Sequence, residues 1–459
     1  MVRIAPLFAA LVLAAAALTA GPALAGATAG RSLACAEDGS AAKEAAAELA
    51  VIRAHFTDAE IRDHHAFRRP RWMRALLDQV AQLVLFGVLF LARLDRRLYR
   101  ACENLAAKVR VPAPLARALG RLWAGDGWLA ALLFALAYFF LALAIDFPQA
   151  FYFDYLDLKS NGLLTQSPLR YAALFVRDAA GQAAGMSMMA FGLYGLARKT
   201  RHWWLLLGVP SALLVAATAL LDPAREQLDY RFTPLAAGAT RDAVEAILAR
   251  ARVEHAGLFE IDAARDTRAL DAFVVGVGPA RRIALYDTLV KQLSPREVAA
   301  VVAHELGHLS EPRALRLWLA AASILPFLGL LAFGLRKLGR TGRFGFTSDR
   351  DPTSLPAAMC LFWLVTTVAS PLANTDARRR ESKADRYAVD LTADPDAFRA
   401  AMVKVARVNK LDLTPPPLIV TLLYSHPAVA ERILTADHWA EEHRAAAPAP
   451  AGPALQPLQ

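Results

Sequence analysis

The stretch VVAHELGHL, residues 301–309, is the most informative part of this sequence of 459 residues. It contains the pattern His-Glu-x-x-His: His304 and His308 stand four positions apart, and Glu305 follows the first of them. The whole chain has only ten histidines, so this spacing rarely arises by chance. The pattern indicates a metal site, with two core histidines and a surface glutamate as the alternative.

The residues just before this stretch predict that it is helical. Ser294 and Glu297 are spaced as a capping box, which typically starts a helix. Residues i and i+4 share one face of a helix, so His304 and His308 can bring two imidazole nitrogens to one zinc ion. Glu305 then lies beside the open coordination position, where it can act as general base toward a zinc-activated water.

A catalytic zinc ion needs a third protein ligand, and the segment RRRESKADRYAVD, residues 378–390, offers two candidates. Glu381 and Asp385 are spaced i, i+4 on a predicted helix. One carboxylate can bind the metal while the other orients a ligand histidine. Without the histidines elsewhere in the chain, this pair would indicate a solvated charged face.

Composition indicates a membrane protein. Hydrophobic residues make up 56% of the chain and charged residues 20%, with a mean hydropathy of +0.31, which is too apolar for an ordinary soluble protein. The three cysteines, at positions 35, 102 and 360, are too few for a disulfide scaffold, and the apolar content excludes a disordered chain. The net charge of +10 is compatible with a nucleic-acid partner or with basic membrane loops.

Seven apolar runs approach the length that crosses a bilayer, about 20 residues. They cover residues 4–25, 75–92, 128–145, 179–197, 203–221, 314–335 and 355–372. The first run has the features of a signal peptide, and its removal would leave six spans. The run 75–92 contains Asp78 and two glutamines and is the weakest, with an interfacial or buried helix as the alternative.

The predicted organisation has five parts. They are a signal peptide or first transmembrane helix at 1–25, a basic juxtamembrane segment at 26–74, an N-terminal membrane domain at 75–221, a metallopeptidase domain at 222–444 that transmembrane helices 314–335 and 355–372 interrupt, and a disordered tail at 445–459. The tail is rich in Ala and Pro and has no apolar period.

Much of the positive charge lies in three alternate loops, 93–121, 198–202 and 336–350. Alternate loops share one side of a membrane, and the positive-inside rule makes that side the cytoplasm, so the metal site would face the periplasm. The basic residues of 62–74 argue for the opposite orientation, and we expect them on a solvated or headgroup-facing surface. The charge therefore indicates topology among membrane lipids, and no nucleic-acid partner is predicted.

The sequence resembles a family, the integral-membrane zinc proteases of the type I CAAX prenyl protease group. Five segments carry the resemblance in order: DLKSNGLLTQSPLRYAALFVRD at 157–178, RFTPLAAG at 231–238, the region from DAFVV to GHL at 271–309, PLANTDARRRESKAD at 371–385, and SHPAVAERI at 425–433. The resemblance as a whole extends over nearly all of the chain after residue 50. The order of the five segments makes coincidence implausible.

The resemblance implies roles for the residues of the metal site. His304, His308 and Glu381 would bind one zinc ion, and Glu305 would be the general base. Asp385 would be the carboxylate behind the ligands, often described in this family as a proton donor.

The resemblance also implies residues that contact the substrate. His426 and Arg432 are similar to groups that steady the tetrahedral oxyanion. Without the resemblance, His426 would be an ordinary loop histidine. Asp271, Ala272 and Phe273 look like the start of the edge strand on which an extended peptide lies. Asp271 departs from the Asn that is common in the family, which changes hydrogen bonding and charge beside the substrate.

The implied fold is an all-α polytopic membrane protein, with six or seven transmembrane helices around a chamber. Its catalytic domain would be mainly helical and zincin-like, with a small β edge strand or hairpin. The family also implies a cytosolic active site, which conflicts with the periplasmic face that the loop charges indicate.

The predicted function is that of a membrane-embedded zinc metalloendopeptidase, similar to CAAX prenyl protease 1. Its substrates would be peptides or proteins, including membrane-bound or lipid-modified ones. The signal-like start and the lack of a eukaryotic retention tag indicate a bacterial inner membrane. The alternatives are a quality-control protease for membrane proteins that uses the same chemistry and a non-catalytic membrane scaffold that contains zinc.

Overall fold

The computed structural model describes residues 40–123, 125–213, 229–276, 278–309 and 313–446. The predicted signal peptide or first span at 1–25 lies outside the described residues. So do residues 447–459 of the predicted tail. The first two tail residues belong to the last helix, which continues to Ala446.

The described residues are mainly helical. The helices are α1 Ser40–His55, α2 Asp58–Leu91, α3 Leu94–Ala106, α4 Ala113–Trp123, α5 Trp128–Ala150, α6 Leu158–Ser160, α7 Pro168–Lys199, α8 Trp203–Leu213, α9 Ala239–Ala251, α10 Asp287–Gln292, α11 Pro295–Gly307, α12 Arg313–Gly339, α13 Leu355–Thr392, α14 Pro395–Val408, α15 Pro417–Leu423 and α16 Val429–Ala446. A π-helical segment, Phe151–Asp157, joins α5 to α6.

Four helical stretches in the described part of the chain are long and apolar enough to cross a membrane: Asp58–Leu91, Trp128–Ser160, Ala321–Gly339 and Pro352–Thr392. They contain four of the predicted runs, including the weakest one at 75–92. The run 179–197 is helical within α7, but α7 is not among the four. The run 203–221 begins as the shorter apolar helix α8 and then leaves the described residues. The predicted class is confirmed, whereas the count of six or seven spans is not.

The three basic loops meet one another. Arg93 Nε donates a hydrogen bond to the carbonyl oxygen of Arg343 over 3.0 Å. Arg336, in turn, donates to the carbonyl oxygen of Arg201. These contacts join loop 93–121 to loop 336–350 and that loop to 198–202.

The basic segment 62–74 differs from the prediction. It was expected on a solvated or headgroup-facing surface, but His64 is buried, and its Nδ1 lies 2.8 Å from the carbonyl oxygen of Leu411. Arg68 Nε donates to the carbonyl oxygen of Lys410 over 2.6 Å. The expectation was wrong for these residues because α2 packs against the segment that follows α14, where backbone carbonyl oxygens accept hydrogen bonds from its basic side chains.

The helix α1 packs against α14 and α16, although the sequence predicted a separate basic segment at 26–74. Its Ile52 is fully buried in a cluster with Val403, Leu413 and Ile433. Burying such side chains stabilises the docking by about 1.5–3 kcal/mol each.

A small sheet packs beside α11. It has the order β1 Phe232–Pro234, β2 Gly257–Ile261, β4 Arg282–Tyr286 and β3 Ala272–Val275. The β2 and β4 strands are parallel, and the other two pairs are antiparallel. The strand β3 is therefore an edge, as predicted.

The helix α11 lies at the centre of the hydrophobic core beside this sheet. Ser294 Oγ accepts from the backbone N–H of Glu297, and the Glu297 carboxylate accepts from the N–H of Ser294 over 2.7 Å, so the predicted capping box is present. Val298 and Val302 of this helix are completely buried. Their burial holds α11 rigidly among α9, α13, α14 and the sheet.

Candidate metal centre

Two helices bring three metal-ligating side chains together. His304 lies in α11, His308 follows the last residue of that helix as its C-cap, and Glu381 lies in α13; one ligand atom from each lies within 4.8 Å of the others. His304 Nε2 is 3.3 Å from Glu381 Oε2, and His308 Nε2 is 3.4 Å from Glu381 Oε1. This arrangement suits a metal ion that both imidazoles and one carboxylate bind.

A glycine allows the two helices to approach so closely. A Cβ atom added to Gly307 would lie 2.7 Å from Ala384 Cα, nearer than real Cβ contacts come. Gly307 is next to one ligand, His308, and Ala384 is next to Asp385. The role of Gly307 was missed in the sequence, although a glycine inside a helical pattern signals a close packing contact.

Asp385 lies behind the ligands and is almost completely buried. Its Oδ1 is 2.8 Å from His304 Nδ1. Arg432 holds the same carboxylate with two donors, Nη2 to Oδ1 over 2.6 Å and Nε to Oδ2 over 2.9 Å. Because the carboxylate accepts from Nδ1–H of His304, Nε2 of that ring is left with its lone pair toward His308 and Glu381.

The site favours positive charge. Burial opposes the charged form of His304, but the hydrogen bond that it donates to Asp385 and the nearby negative charge of Glu381 outweigh this effect and raise the pKa of the imidazole to about 9. Glu381 Oε2 is buried and has no hydrogen-bond partner among the described residues. Two imidazoles and one carboxylate with an unpaired buried oxygen fit a divalent cation. Two histidines and one glutamate are a ligand set of catalytic zinc.

Glu305 stands next to this cluster with a perturbed pKa. Burial raises the pKa of its carboxyl group to about 7, although the charge on His304 acts in the opposite direction. Asp271 and Glu381 add further negative charge nearby. A carboxylate with a pKa near neutrality is suited to exchange protons as a general base and acid.

A cavity of about 400 Å³ opens on the metal cluster. His304, Glu305, Asp271, His426 and Arg432 all contribute to its wall. The His426 side chain is 62% exposed, and its Nε2 lies 3.6 Å from Glu381 Oε2. The structure therefore brings one predicted zinc ligand, His304, the predicted base and both predicted oxyanion groups to one cavity, and the other two ligands lie next to His304.

The predicted substrate strand also lies at this cavity. Asp271 accepts a hydrogen bond from the backbone N–H of Tyr286 over 3.1 Å, and β3 follows with Ala272 and Phe273. The Asp271 carboxylate accepts from the N–H of Ala272 over 2.9 Å. Although Asp271 is open to the cavity solvent, the surrounding protein raises its pKa.

Asn409 anchors the chain before this strand and was missed in the sequence. Its side-chain oxygen accepts from the N–H of Leu270 over 2.9 Å, and its amide donates to the carbonyl oxygen of the same residue over 3.1 Å. Arg68 of α2 also lines the cavity. Neither residue belongs to a recognisable motif, because both act across about 140 or more positions of sequence.

The part of the chain that contains the metal cluster matches a known protein family. Residues 234–440 match the model described as Peptidase family M48. The uncharacterized metalloprotease YhfN of Bacillus subtilis is 28% identical over 250 residues, 52% of this chain and 57% of that protein. A CAAX prenyl protease 1 homolog of Oryza sativa subsp. japonica is 30% identical over 209 residues, 44% of this chain and 48% of that protein.

The chain spans about half the length of the curated relatives it matches, 57% and 48% in these two cases. Among solved structures, S. mikatae Ste24p is similar with a TM-score of 0.66 and 17% identity, covering 93% of this chain and 99% of that one. At this identity the likeness concerns the fold, and it confirms the predicted fold class. The family match and the relatives confirm the predicted resemblance to a membrane metalloprotease family.

Proposed function

From the match of residues 234–440 to the model of peptidase family M48, we propose that the protein is a membrane-embedded zinc metalloendopeptidase similar to CAAX prenyl protease 1. The observation that carries the proposal is the cluster of His304, His308 and Glu381 with Glu305 on the wall of the same cavity. A structural zinc site has no use for a carboxylate base beside an open cavity.

In the proposed reaction, a zinc ion held by His304, His308 and Glu381 would act as a Lewis acid toward water and the scissile carbonyl group. Glu305 accepts the proton of the attacking water and transfers it to the leaving amine. Asp385 keeps Nδ1 of His304 protonated, so that Nε2 remains available as a ligand.

Two further residues complete the proposed site. His426 lies on the cavity wall near Glu381 and stabilises the developing oxyanion by donating a hydrogen bond. Arg432 holds Asp385 through two hydrogen bonds and supplies positive charge near the reacting carbonyl group.

We propose peptide or protein substrates that bind in an extended conformation along β3. An edge strand offers backbone donors and acceptors on its open side, and β3 begins at the cavity wall with Asp271. The names of several relatives suggest the ends of prenylated proteins as substrates. Misfolded membrane proteins are the second candidate, since the same chemistry would cleave them.

The experiment compares the purified full-length protein with Glu305→Gln and with Glu254→Gln, a control at an exposed glutamate outside the cavity. We expect Glu305→Gln to retain zinc and to lose peptide cleavage by about 10²- to 10⁴-fold, because a positioned general base contributes this much. Glu254→Gln should behave as wild type. Cleavage that persists in zinc-loaded Glu305→Gln would overturn the mechanism, and no cleavage by the zinc-loaded wild type would favour the scaffold alternative.

We also propose that the protein lies in a bacterial inner membrane with the catalytic region on the periplasmic side. The support is the contact among the three basic loops at one end of the helices. Along α13, Glu381 lies about 40 Å from Leu355, which follows the third of these loops. This length is enough to separate the metal centre from the basic loops by a bilayer.

A further inference from the structure

Two polar residues of α13 bind the end of a neighbouring helix. Arg378 Nη1 donates to the carbonyl oxygens of Val420, over 2.8 Å, and Tyr424, over 2.6 Å. One turn earlier, Asn374 donates to the carbonyl oxygen of Leu422 over 2.8 Å. The carbonyl groups at the end of α15 are thus held by side chains of the helix that also carries Glu381.

The contact has a clear physical basis. The last carbonyl groups of a helix have no partner within it, and α15 ends at Leu423. A cation at a helix C-terminus is favoured, and the planar guanidinium group donates in fixed directions. Thr375 restricts the group further, because its Oγ1 accepts from Arg378 Nη2 over 2.9 Å.

The segment that follows α15 contains His426. Within the described structure, the hydrogen bond found for the His426 ring joins it to the adjacent Ser425, over 3.1 Å. This local bond cannot fix the ring relative to the metal ligands. The position of His426 therefore depends on the backbone on its two sides, which Arg378 holds at Tyr424 and core packing holds at Val429.

We propose that Arg378 is a positioning residue that sets the place of His426 relative to Glu381. Arg378 and Glu381 are three residues apart on one rigid helix, so a bond from Arg378 to Tyr424 relates the His426 segment directly to the metal ligand. The kinetic part of this inference rests on the proposed peptidase function, whereas the structural part does not.

A residue that merely capped α15 would affect stability alone. A positioning residue also affects the step in which His426 takes part, and its effect disappears when His426 is removed. The two roles are therefore separated by a double-mutant cycle.

The test uses the full-length, zinc-loaded protein and the variant Arg378→Met, which keeps the apolar stem and removes the donors. Arg386→Met is the matched control on the same helix, because it removes exposed ion pairs with Asp390 and Glu442. Hydrogen exchange is measured for the backbone amides of Tyr424, Ser425, His426 and Ala428, since Pro427 has none. We expect exchange there to become about 10-fold faster in Arg378→Met, as expected for lost charged hydrogen bonds, and to stay unchanged in Arg386→Met. Unchanged exchange in Arg378→Met would overturn the proposal whether or not the protein cleaves peptides.

The kinetic test combines Arg378→Met with His426→Ala. We expect Arg378→Met to lower kcat by about 10- to 100-fold with zinc content unchanged, because small misplacements of catalytic groups have such effects. Arg378→Lys, which retains one charged nitrogen as a donor group, should lose less activity than Arg378→Met. In the His426→Ala background, Arg378→Met should cost less than about 2-fold, since the residue it positions is gone. An equal loss in both backgrounds would show that Arg378 does not act through His426.

Discussion

Gly307 determines how closely the two metal-binding helices can approach each other. Its missing side chain lets Ala384 of α13 contact the backbone of α11. His308 follows Gly307 directly, and Asp385 follows Ala384. A change at this single contact therefore reaches both sides of the metal centre.

We expect Gly307→Ala to weaken zinc binding and to lower the melting temperature. Its Cβ atom would lie 2.7 Å from Ala384 Cα, and such overpacking typically costs about 1–3 kcal/mol. Gly185→Ala is the control, since a Cβ atom there has no neighbour within 4 Å. Zinc affinity is measured by chelator competition and stability by thermal unfolding. Equal behaviour of the two variants would show that the helices do not need this close contact.

Asp385→Asn tests how the carboxylate orients His304. The amide preserves the shape of the side chain but removes the charge that pairs with Arg432 and accepts from His304 Nδ1. We expect zinc affinity to fall by about 10- to 100-fold, the usual effect of losing a partner behind a metal ligand. Asp376→Asn, at an exposed position of the same helix, should leave zinc affinity unchanged.

The edge strand β3 offers its backbone alternately to β4 and to the open side. Because Tyr286 donates to the carbonyl group of Asp271, residues 271, 273 and 275 face β4, and residues 272 and 274 face outward. The Asp271 carboxylate already accepts from the N–H of Ala272. The N–H of Val274 is therefore the outward donor available to a bound peptide.

Val274→Pro should raise the KM for an extended peptide about 10-fold, because one charge-free backbone hydrogen bond with substrate is lost. Its zinc content and melting temperature should remain close to wild type. Phe273→Pro is the counterpart, since it removes a donor that faces β4 and should destabilise the sheet. Steady-state kinetics and thermal unfolding distinguish the two. An unchanged KM in Val274→Pro would contradict peptide binding along this edge.

The helix α13 joins two features that the sequence presented separately. The apolar run 355–372 was predicted as a span and 378–390 as the segment with the third ligand, and both belong to one helix of 38 residues. The helix is continuous across this junction, although Pro371 removes one backbone hydrogen bond there. The apolar run and the segment that contains Glu381 are thus coupled through one continuous element.

The arrangement of the whole molecule relative to the membrane can be tested by thiol labelling. Variants Glu254→Cys, in the catalytic region, and Arg110→Cys, in a basic loop, are made in a chain whose three native cysteines are replaced. We expect a membrane-impermeant maleimide to label Glu254→Cys in intact spheroplasts and to label Arg110→Cys only after lysis, because basic loops remain in the cytoplasm. The reverse pattern would place the metal centre on the cytoplasmic side.

Local spacing was sufficient to identify part of the site. His304 and His308 are one helical turn apart, and the capping box upstream predicts that helix, so their common face follows from helix geometry, with Glu305 at its side. The apolar excess of the chain similarly indicated membrane helices, because composition and run length are local properties.

Spacing alone left open which of Glu381 and Asp385 is the ligand; the resemblance distinguished them, and long-range packing gives the physical reason. Both carboxylates share a face of α13, but the crossing of α13 with α11 at Gly307 turns Glu381 toward Nε2 of His304 and Asp385 toward Nδ1. The same holds for the basic segment of α2, whose His64 and Arg68 bind backbone carbonyls more than 300 positions away. Periodicity describes the face on which a side chain lies, whereas its partner depends on which elements the hydrophobic core brings into contact.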